Sequence, residues 1–328
     1  MGNKISVITP TYNEEDNVET CYQTVRDLFE GPLAGYELEY IFADNCSSDR
    51  TAERLRAIAG KDDRVKLIFN ARNYGALRSN FNALTRATGD AVLVSLAADL
   101  QDPPDLLPDF VARWREGYQV VYGVRQNRPE SFVLRNLRRL FYRVINRLAD
   151  VRIPVDAGEY QLIDRVVLNA ILECDDYYPY IRGLIANCGF RSTGIAYDWR
   201  KRRRGVSKAT WFLLIDQAIN ALVSFSNIPI RICLLTGLAV AALSVLYSLA
   251  ILIWVLVLPR GTAPGISTLV VALFFFGGVQ LFFLGIIGEY ITAIHSQVRH
   301  RPLVIEREVI NFSDSARTTP SPYRLPSH

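Results

Sequence analysis

Short apolar runs alternate with amphipathic segments along roughly the first two hundred residues. Lys4 to Thr9, Leu38 to Ala43, Val65 to Phe69 and Ala91 to Leu96 have strand length, and helical periodicity fills the segments between them. That alternation predicts an α/β domain over residues 1–205, a parallel sheet with helices on both faces. From Asp105 the pattern continues with a helix, a strand around Val120 to Gly123, a strongly basic helix from about Phe132 to Ala149, and a strand-like run from Gln161 to Asp164. Over 206–230 an amphipathic helix is expected: between Ala209 and Phe225, Trp211, Leu214, Ile215 and Leu222 mix with Asp216, Gln217 and Asn220. Such a helix can lie in a membrane interface. Ile232 to Leu258 and Ile266 to Gly288 then carry no charge at all. About 20 apolar residues at ~1.5 Å per residue cross a ~30 Å hydrocarbon core, so a hairpin of two transmembrane helices is expected over 231–295, at about 232–258 and 266–290. Buried core helices of that length would keep a polar face. Residues 296–328 form a tail, in which an apolar stretch from Leu303 to Phe312 gives way to a Ser/Thr/Pro-rich end expected to be disordered.

Charge changes the picture more than composition does. The formal net charge is only +4, but Arg200, Lys201, Arg202, Arg203, Arg204 and Lys208 precede the first uncharged run, Arg231 abuts it, and Arg299 and Arg301 follow the second. The connecting loop carries only Arg260. The positive-inside rule therefore puts both termini and the α/β domain on the cytoplasmic side of an integral membrane protein, and no signal peptide precedes the first strand. A basic run held against a bilayer is poorly suited to nucleic acid, so that partner is not expected. Cys21, Cys46, Cys174, Cys188 and Cys233 are odd in number and lack a C-x-x-C pair, which argues against both a zinc site and a disulfide framework. Gly2 to Ser6 formally fits an acylation signal, but the strand beginning at Lys4 leaves that end no freedom.

Parallel sheets bind ligands outside the carboxyl ends of their strands. After the first run stands Pro10-Thr11-Tyr12-Asn13-Glu14-Glu15, after the second Asp44-Asn45-Cys46-Ser47-Ser48-Asp49, and after the fourth Asp99-Leu100-Gln101-Asp102-Pro103-Pro104. A third loop, Asn70 to Gly75, adds Arg72 and Asn73. Helix capping accounts for Asn13 or Asp49 taken singly, but it does not require Tyr12, Gln101 or the Pro-Pro stop. An acidic pocket can bind a nucleotide diphosphate if a divalent cation intervenes or if carboxylates bind the base and ribose. Asp99 and Gln101, two apart at a strand end, can both offer oxygen to Mg²⁺ or Mn²⁺, and the Arg-rich helix can neutralise remaining phosphate charge. The reaction class is transfer of a group from a diphosphate leaving group.

Thr9 to Glu15, Asp44 with Ser47-Ser48-Asp49, Asp99 to Pro104, Val124 to Arg128, Gly205-Val206-Ser207-Lys208 and Gly288-Glu289-Tyr290-Ile291 resemble glycosyltransferase family 2. Their order, with a two-span hairpin, is similar to that of the polyprenyl-phosphate glycosyltransferases, the group that includes bactoprenol glucosyltransferases and dolichol-phosphate mannose synthases. The resemblance implies a GT-A (Rossmann-like) catalytic domain and an inverting, metal-dependent transfer from a nucleotide-sugar to a polyprenyl phosphate. It implies that Pro10, Tyr12, Glu14 and Asp44 hold the nucleotide, that Asp99 and Gln101 serve metal and diphosphate, and that Arg125 with Arg135 or Arg138 binds phosphate. By the same resemblance Asp156 is the acid near the reacting centre, and Arg202, Ser207 and Lys208 meet the lipid phosphate. Two spans and the Arg125-to-Arg128 sequence lean toward UDP-glucose and undecaprenyl phosphate in a bacterial inner membrane. GDP-mannose and UDP-formamido-arabinose remain open as donors. A homo-oligomer, plausibly a tetramer, is implied as well. Ala97-Ala98-Asp99 departs from the Asp-Ala-Asp of relatives, so a donor-binding scaffold without turnover is the rival reading.

Overall fold

A computed structural model describes residues 3–126, 157–174, 179–198, 266–298 and 302–312, with isolated helical positions between 235 and 246. The chain divides into two compact units, one of residues 1–146, 151–213 and 300–328, the other of 147–150 and 214–299.

In the first unit, β1 (Lys4–Thr11), β2 (Glu37–Asp44), β3 (Val65–Asn70) and β4 (Ala91–Leu93) appear where the apolar runs predict them. Between them run α1 (Val18–Glu30), α2 (Thr51–Ala59) and α3 (Ala76–Arg86). After β4 a short 3₁₀ turn at Pro104–Leu106 leads into α4 (Leu107–Arg115), β5 (Val120–Gln126), β6 (Ala157–Asp164), α5 (Arg165–Glu173), α6 (Ile181–Asn187) and β7 (Ser192–Asp198). The final strand, β8 (Glu306–Ile310), belongs to the same unit.

Each helix forms because its apolar residues fall on one stripe. In α1 the buried set is Val18, Cys21, Val25 and Phe29, spaced three and four apart, and in α4 it is Leu107, Phe110, Val111 and Trp114. These stripes join alternate strand residues Ile5, Val7, Tyr40, Phe42, Leu67 and Phe69 in one core. The other strand positions, Ile8, Ile41 and Ile68, are fully buried too, and α3 packs on β1 and β2. Burial on both faces is why these strands read as continuous apolar runs.

The sheet has eight strands in the order β7-β5-β6-β4-β1-β2-β3-β8. It is mixed, not all-parallel as the alternation predicts: β6 runs antiparallel to both β4 and β5, and β8 runs antiparallel to β3. Hydrophobic periodicity encodes which side chains are buried and is silent about strand direction. β4 is also shorter than the run 91–96, because Val94 and Leu96 leave the ladder and donate instead to the carbonyls of Gln161 and Ile8. The segment expected to be a tail thus returns to the sheet edge at Glu306–Ile310.

In the second unit α7 (Ile266–Val298) is 33 residues long, about 50 Å at 1.5 Å per residue. Among the described residues no helix is long and apolar enough to cross a membrane. The two-helix transmembrane hairpin expected from the sequence is therefore not established here. Most of the first expected span, the interfacial helix and the basic helix lie outside the described residues.

Candidate active site

Four consecutive strands end at the same edge of the sheet. Thr11 of β1 pairs with Asp44 of β2, and Asp44 pairs in turn with Phe69 of β3. β4 flanks β1, β5 runs in the same direction beyond it, and the antiparallel β6 starts at this edge. The strand ends bearing Pro10, Asp44 and Arg125 and the loops bearing Tyr12, Glu14, Asp99 and Gln101 are thereby gathered along one rim. Asp156, Arg135, Arg138, Arg202, Ser207 and Lys208 lie outside the described residues; Ala157, the neighbour of Asp156, opens β6 at this rim.

The turns that make the rim are strained in a common way. Asn13, Cys46 and Leu100, none of them glycine, have φ of 54°, 64° and 56°. Left-handed backbone at a non-glycine residue costs about 1–3 kcal/mol and collects at functional loops. Side chains hold the first two turns closed against each other. The Ser48 amide donates to Asn13 Oδ1 at 2.8 Å, the Asn13 amide to Ser47 Oγ at 2.9 Å, and the Glu14 amide to Thr51 Oγ1 at 2.9 Å. Asp49 Oδ1 accepts the Thr51 amide at 2.9 Å in the turn that leads into α2, whose N-cap position is Arg50. Glu14 Oε2 accepts from Asn17 Nδ2 at 2.6 Å, and Tyr12 stands at the rim with 37% of its surface exposed.

Asp44, only 1% exposed, accepts the Ser47 amide at 3.0 Å and the Ser47 hydroxyl in a short bond. Burial pushes its carboxyl above the ordinary range; the Ser47 bonds oppose this without cancelling it, Asp49 adds to the rise and Arg307 reduces it. Beside it Asn45 Oδ1 accepts from Asn70 Nδ2 at 3.1 Å and the Tyr74 amide at 2.9 Å, while its Nδ2 donates to Asn73 Oδ1 at 2.8 Å. Asn45 therefore shapes the third loop, where the Arg72 guanidinium lies 4.0 Å from the Tyr74 ring centre.

On the other side of β1 lies Asp99, 8% exposed, whose Oδ1 accepts the Gln101 amide at 3.2 Å across the left-handed Leu100. Among the described residues no three His, Cys, Asp or Glu groups come together as a metal cluster, in keeping with alanine at position 97. One carboxylate and one amide oxygen in the loop after β4 nonetheless offer an all-oxygen donor set. That set fits a hard divalent cation whose remaining ligands come from substrate and water.

Asp102, in the same loop, does something the sequence does not signal. It binds Arg125 through two bonds, 3.1 Å from Nε and 2.8 Å from Nη2. Tyr197 of β7 donates its hydroxyl to Asp102 in a short bond and accepts from Arg125 Nε at 3.0 Å. Burial works against the guanidinium charge, but Asp102 and Tyr197 outweigh it and raise the Arg125 pKa. Tyr160 donates to the Pro103 carbonyl at 2.8 Å, tying the same loop to β6. Glu159, next to it, has its carboxyl pushed up by burial. Asp102 was legible as part of a motif; Tyr197 carries no signal in sequence, since only the pairing of β7 with β5 brings it there.

Comparison with known proteins identifies the family. The glycosyl transferase family 2 model matches residues 6–172, and that of the GtrB C-terminal hairpin matches residues 228–294. A protein of Synechocystis sp. described as an uncharacterized glycosyltransferase is 33% identical, over 93% of this chain and 95% of its own. The bactoprenol glucosyl transferase of Shigella phage SfV is 32% identical, over 92% of this chain and 97% of its own. Among solved structures, glucosyl-3-phosphoglycerate synthase from Mycobacterium tuberculosis with Mn²⁺, UDP-glucose and phosphoglyceric acid is 22% identical over 68% of this chain and 79% of that one, with a TM-score of 0.45. That likeness is too slight to bear on this chain's chemistry. Matched over half its length by the family model and over nine-tenths by relatives more than 30% identical, the chain belongs to glycosyltransferase family 2.

Proposed function

We propose that the chain transfers a hexosyl group, glucose from UDP-glucose in the first instance, to undecaprenyl phosphate at the cytoplasmic face of a bacterial inner membrane. The observation carrying this reading is the match to bactoprenol glucosyl transferases across 92% of the chain, C-terminal hairpin region included. Membrane residence is supported by the two uncharged runs, Ile232 to Leu258 and Ile266 to Gly288. On α7, Leu269, Leu273, Leu281 and Leu284 are all more than half exposed, an arrangement suited to lipid and costly in water.

In this mechanism the rim holds the donor by its nucleoside, with Asp44 as acceptor and Tyr12 and the loop 70–75 as walls. Asp99 and Gln101 would hold Mg²⁺ or Mn²⁺, which when bound supplies charge neutralisation to the leaving diphosphate. The acceptor's phosphate monoester, with a second pKa near 6, is largely dianionic at neutral pH. An oxygen of that phosphate attacks the anomeric carbon as the bond to UDP breaks, UDP leaves with the bonding electrons, and the configuration inverts. Asp156 is assigned to positioning, because this nucleophile needs little deprotonation. Arg202, Ser207 and Lys208 would hold the lipid phosphate close to the bilayer. The Asp102–Arg125–Tyr197 cluster fixes the metal loop against β5 and β7.

The test uses detergent-purified full-length protein, undecaprenyl phosphate, Mg²⁺ or Mn²⁺, and radiolabelled UDP-glucose, UDP-galactose or GDP-mannose, with label counted in the extracted lipid. Label that depends on metal and is lost in Asp99→Ala supports the proposal and names the donor. Measurable nucleotide-sugar binding with background transfer from every donor, across a range of both metals, would favour the inactive scaffold to which Ala97 points.

A further inference from the structure

β8 enters the donor edge from the far end of the chain, and its pairing with β3 is irregular there. Phe69 stands opposite Glu308 and Asn70 opposite Glu306, so Arg307 is the extra residue of a bulge. A bulge re-aims the side chains around it. In a regular strand Glu306 and Glu308 would share a face. Here Glu306 reaches α3, accepting from Asn82 at 2.9 Å and pairing with Arg86, whereas Glu308 pairs with Arg56 of α2 at 2.6 Å. The strand is therefore clamped to a helix through each glutamate. Asn311 secures its far end by donating to the carbonyls of Ala59 and Val65 at 3.1 and 2.9 Å.

At its near end the Ile305 carbonyl accepts the amide of Ala71 at 2.9 Å. Ala71 is the first residue of the loop that carries Arg72, Asn73 and Tyr74. Between these fixed points Arg307 sits exposed beside the carboxyl end of β3 and, among the described residues, in no ion pair; its charge is felt at the Asp44 carboxyl on the next strand but one. Edge strands often carry charge simply to prevent pairing with other chains. That explanation does not account for a bulge placed where β3 runs into the donor loop 70–75.

We propose that Arg307 is a donor-binding residue, presented by the β8 bulge to the nucleoside end of the nucleotide-sugar, where its guanidinium donates to a carbonyl oxygen of the base. This rests on the donor reading above. A segment past the hairpin region thus joins the donor end of a site whose loops 10–15, 44–49 and 70–75 come from the start of the chain.

The experiment measures the affinity of full-length, detergent-purified protein for UDP and for uridine in wild type, Arg307→Gln, Arg307→Lys and Glu308→Gln, and for GDP in wild type. Arg307→Gln is expected to weaken UDP and uridine alike, by roughly tenfold, the scale of one charge-assisted hydrogen bond. Arg307→Lys should recover part of the loss, since it restores charge but not the planar fork. Glu308→Gln, which breaks the α2 clamp and keeps Arg307, should bind as wild type does. Unchanged affinity in Arg307→Gln overturns the inference, as does a loss seen with UDP but not with uridine, which would mean a remote charge acting on phosphate. An equal loss in Glu308→Gln overturns it too, because the strand would then act only as a brace. Wild-type protein that binds neither UDP nor GDP would instead refute the donor reading itself.

Discussion

Replacing Asp102 by alanine tests whether the metal loop is held by a buried ion pair. Asp102 has 6% and Arg125 23% of its side-chain surface exposed, and two hydrogen bonds of 3.1 and 2.8 Å join them. Removing one partner of a buried pair costs about 3–5 kcal/mol, because the remaining charge is left without compensation. The residual exposure of Arg125 lets water offset part of that, so about 3 kcal/mol is expected. At ~2–4 °C per kcal/mol for a domain of this size, Asp102→Ala should lower the apparent melting temperature by about 6–12 °C in detergent. Tyr197→Phe, which keeps the ion pair and deletes the hydroxyl bridging it, should cost about 1–2 kcal/mol. Combining Asp102→Ala with Arg125→Met removes the stranded charge and should return most of the melting temperature. Donor turnover should not return with it, since the loop bearing Asp99 and Gln101 would have lost its tie to β5. If Asp102→Ala melts within ~2 °C of wild type, or if the double variant is less stable than the single one, the ion pair does not hold this loop and the reasoning fails.

Asp44 should make donor binding and stability respond to pH in opposite directions. Its folded pKa is raised by burial, so as pH climbs from the ordinary carboxylate range through the folded value, ionisation costs stability while it supplies the acceptor that the nucleoside needs. UDP affinity should therefore rise, and the melting temperature fall, as pH climbs above the ordinary carboxylate range, and Asp44→Asn should flatten both trends; a titration of UDP affinity that is the same in both proteins would count against the assignment. Gly123→Ala should destabilise by about 1–3 kcal/mol, because its Cβ would lie 2.6 Å from the Tyr197 ring, which Asp102 and Arg125 hold in place. A melting temperature equal to wild type would show that the ring is free to move.

The positions of β1 to β6 were legible because a strand covered on both faces must be apolar throughout, and such runs stand out against amphipathic helices. β7 was not, since its residues alternate between exposed and half-buried until Tyr197, and a sequence window cannot tell such a strand from a loop. β8 was read only as an apolar stretch, because Glu306, Arg307 and Glu308 break any strand pattern. Those same charges make sense only beside Arg86 and Arg56, about 220 and 250 residues earlier in the chain.

What the sequence determined by itself was the chemistry offered at each strand end: Tyr12 and Glu14, Asp44, Asp99 and Gln101, Arg125, with Ala97 as the departure. These follow from local order, because a residue just past a buried strand has to leave the sheet at its edge. Which of them stand together, and on what, was decided only by the tertiary structure. Strand direction placed the start of β6 at the donor rim, β7 supplied Tyr197 to the Asp102–Arg125 pair, and a bulge in β8 set Arg307 beside the carboxyl end of β3. Hydrophobic patterning specifies what must be buried; the direction of a strand and the partner of a buried charge are set by pairing between segments far apart in the chain, and no local pattern encodes that.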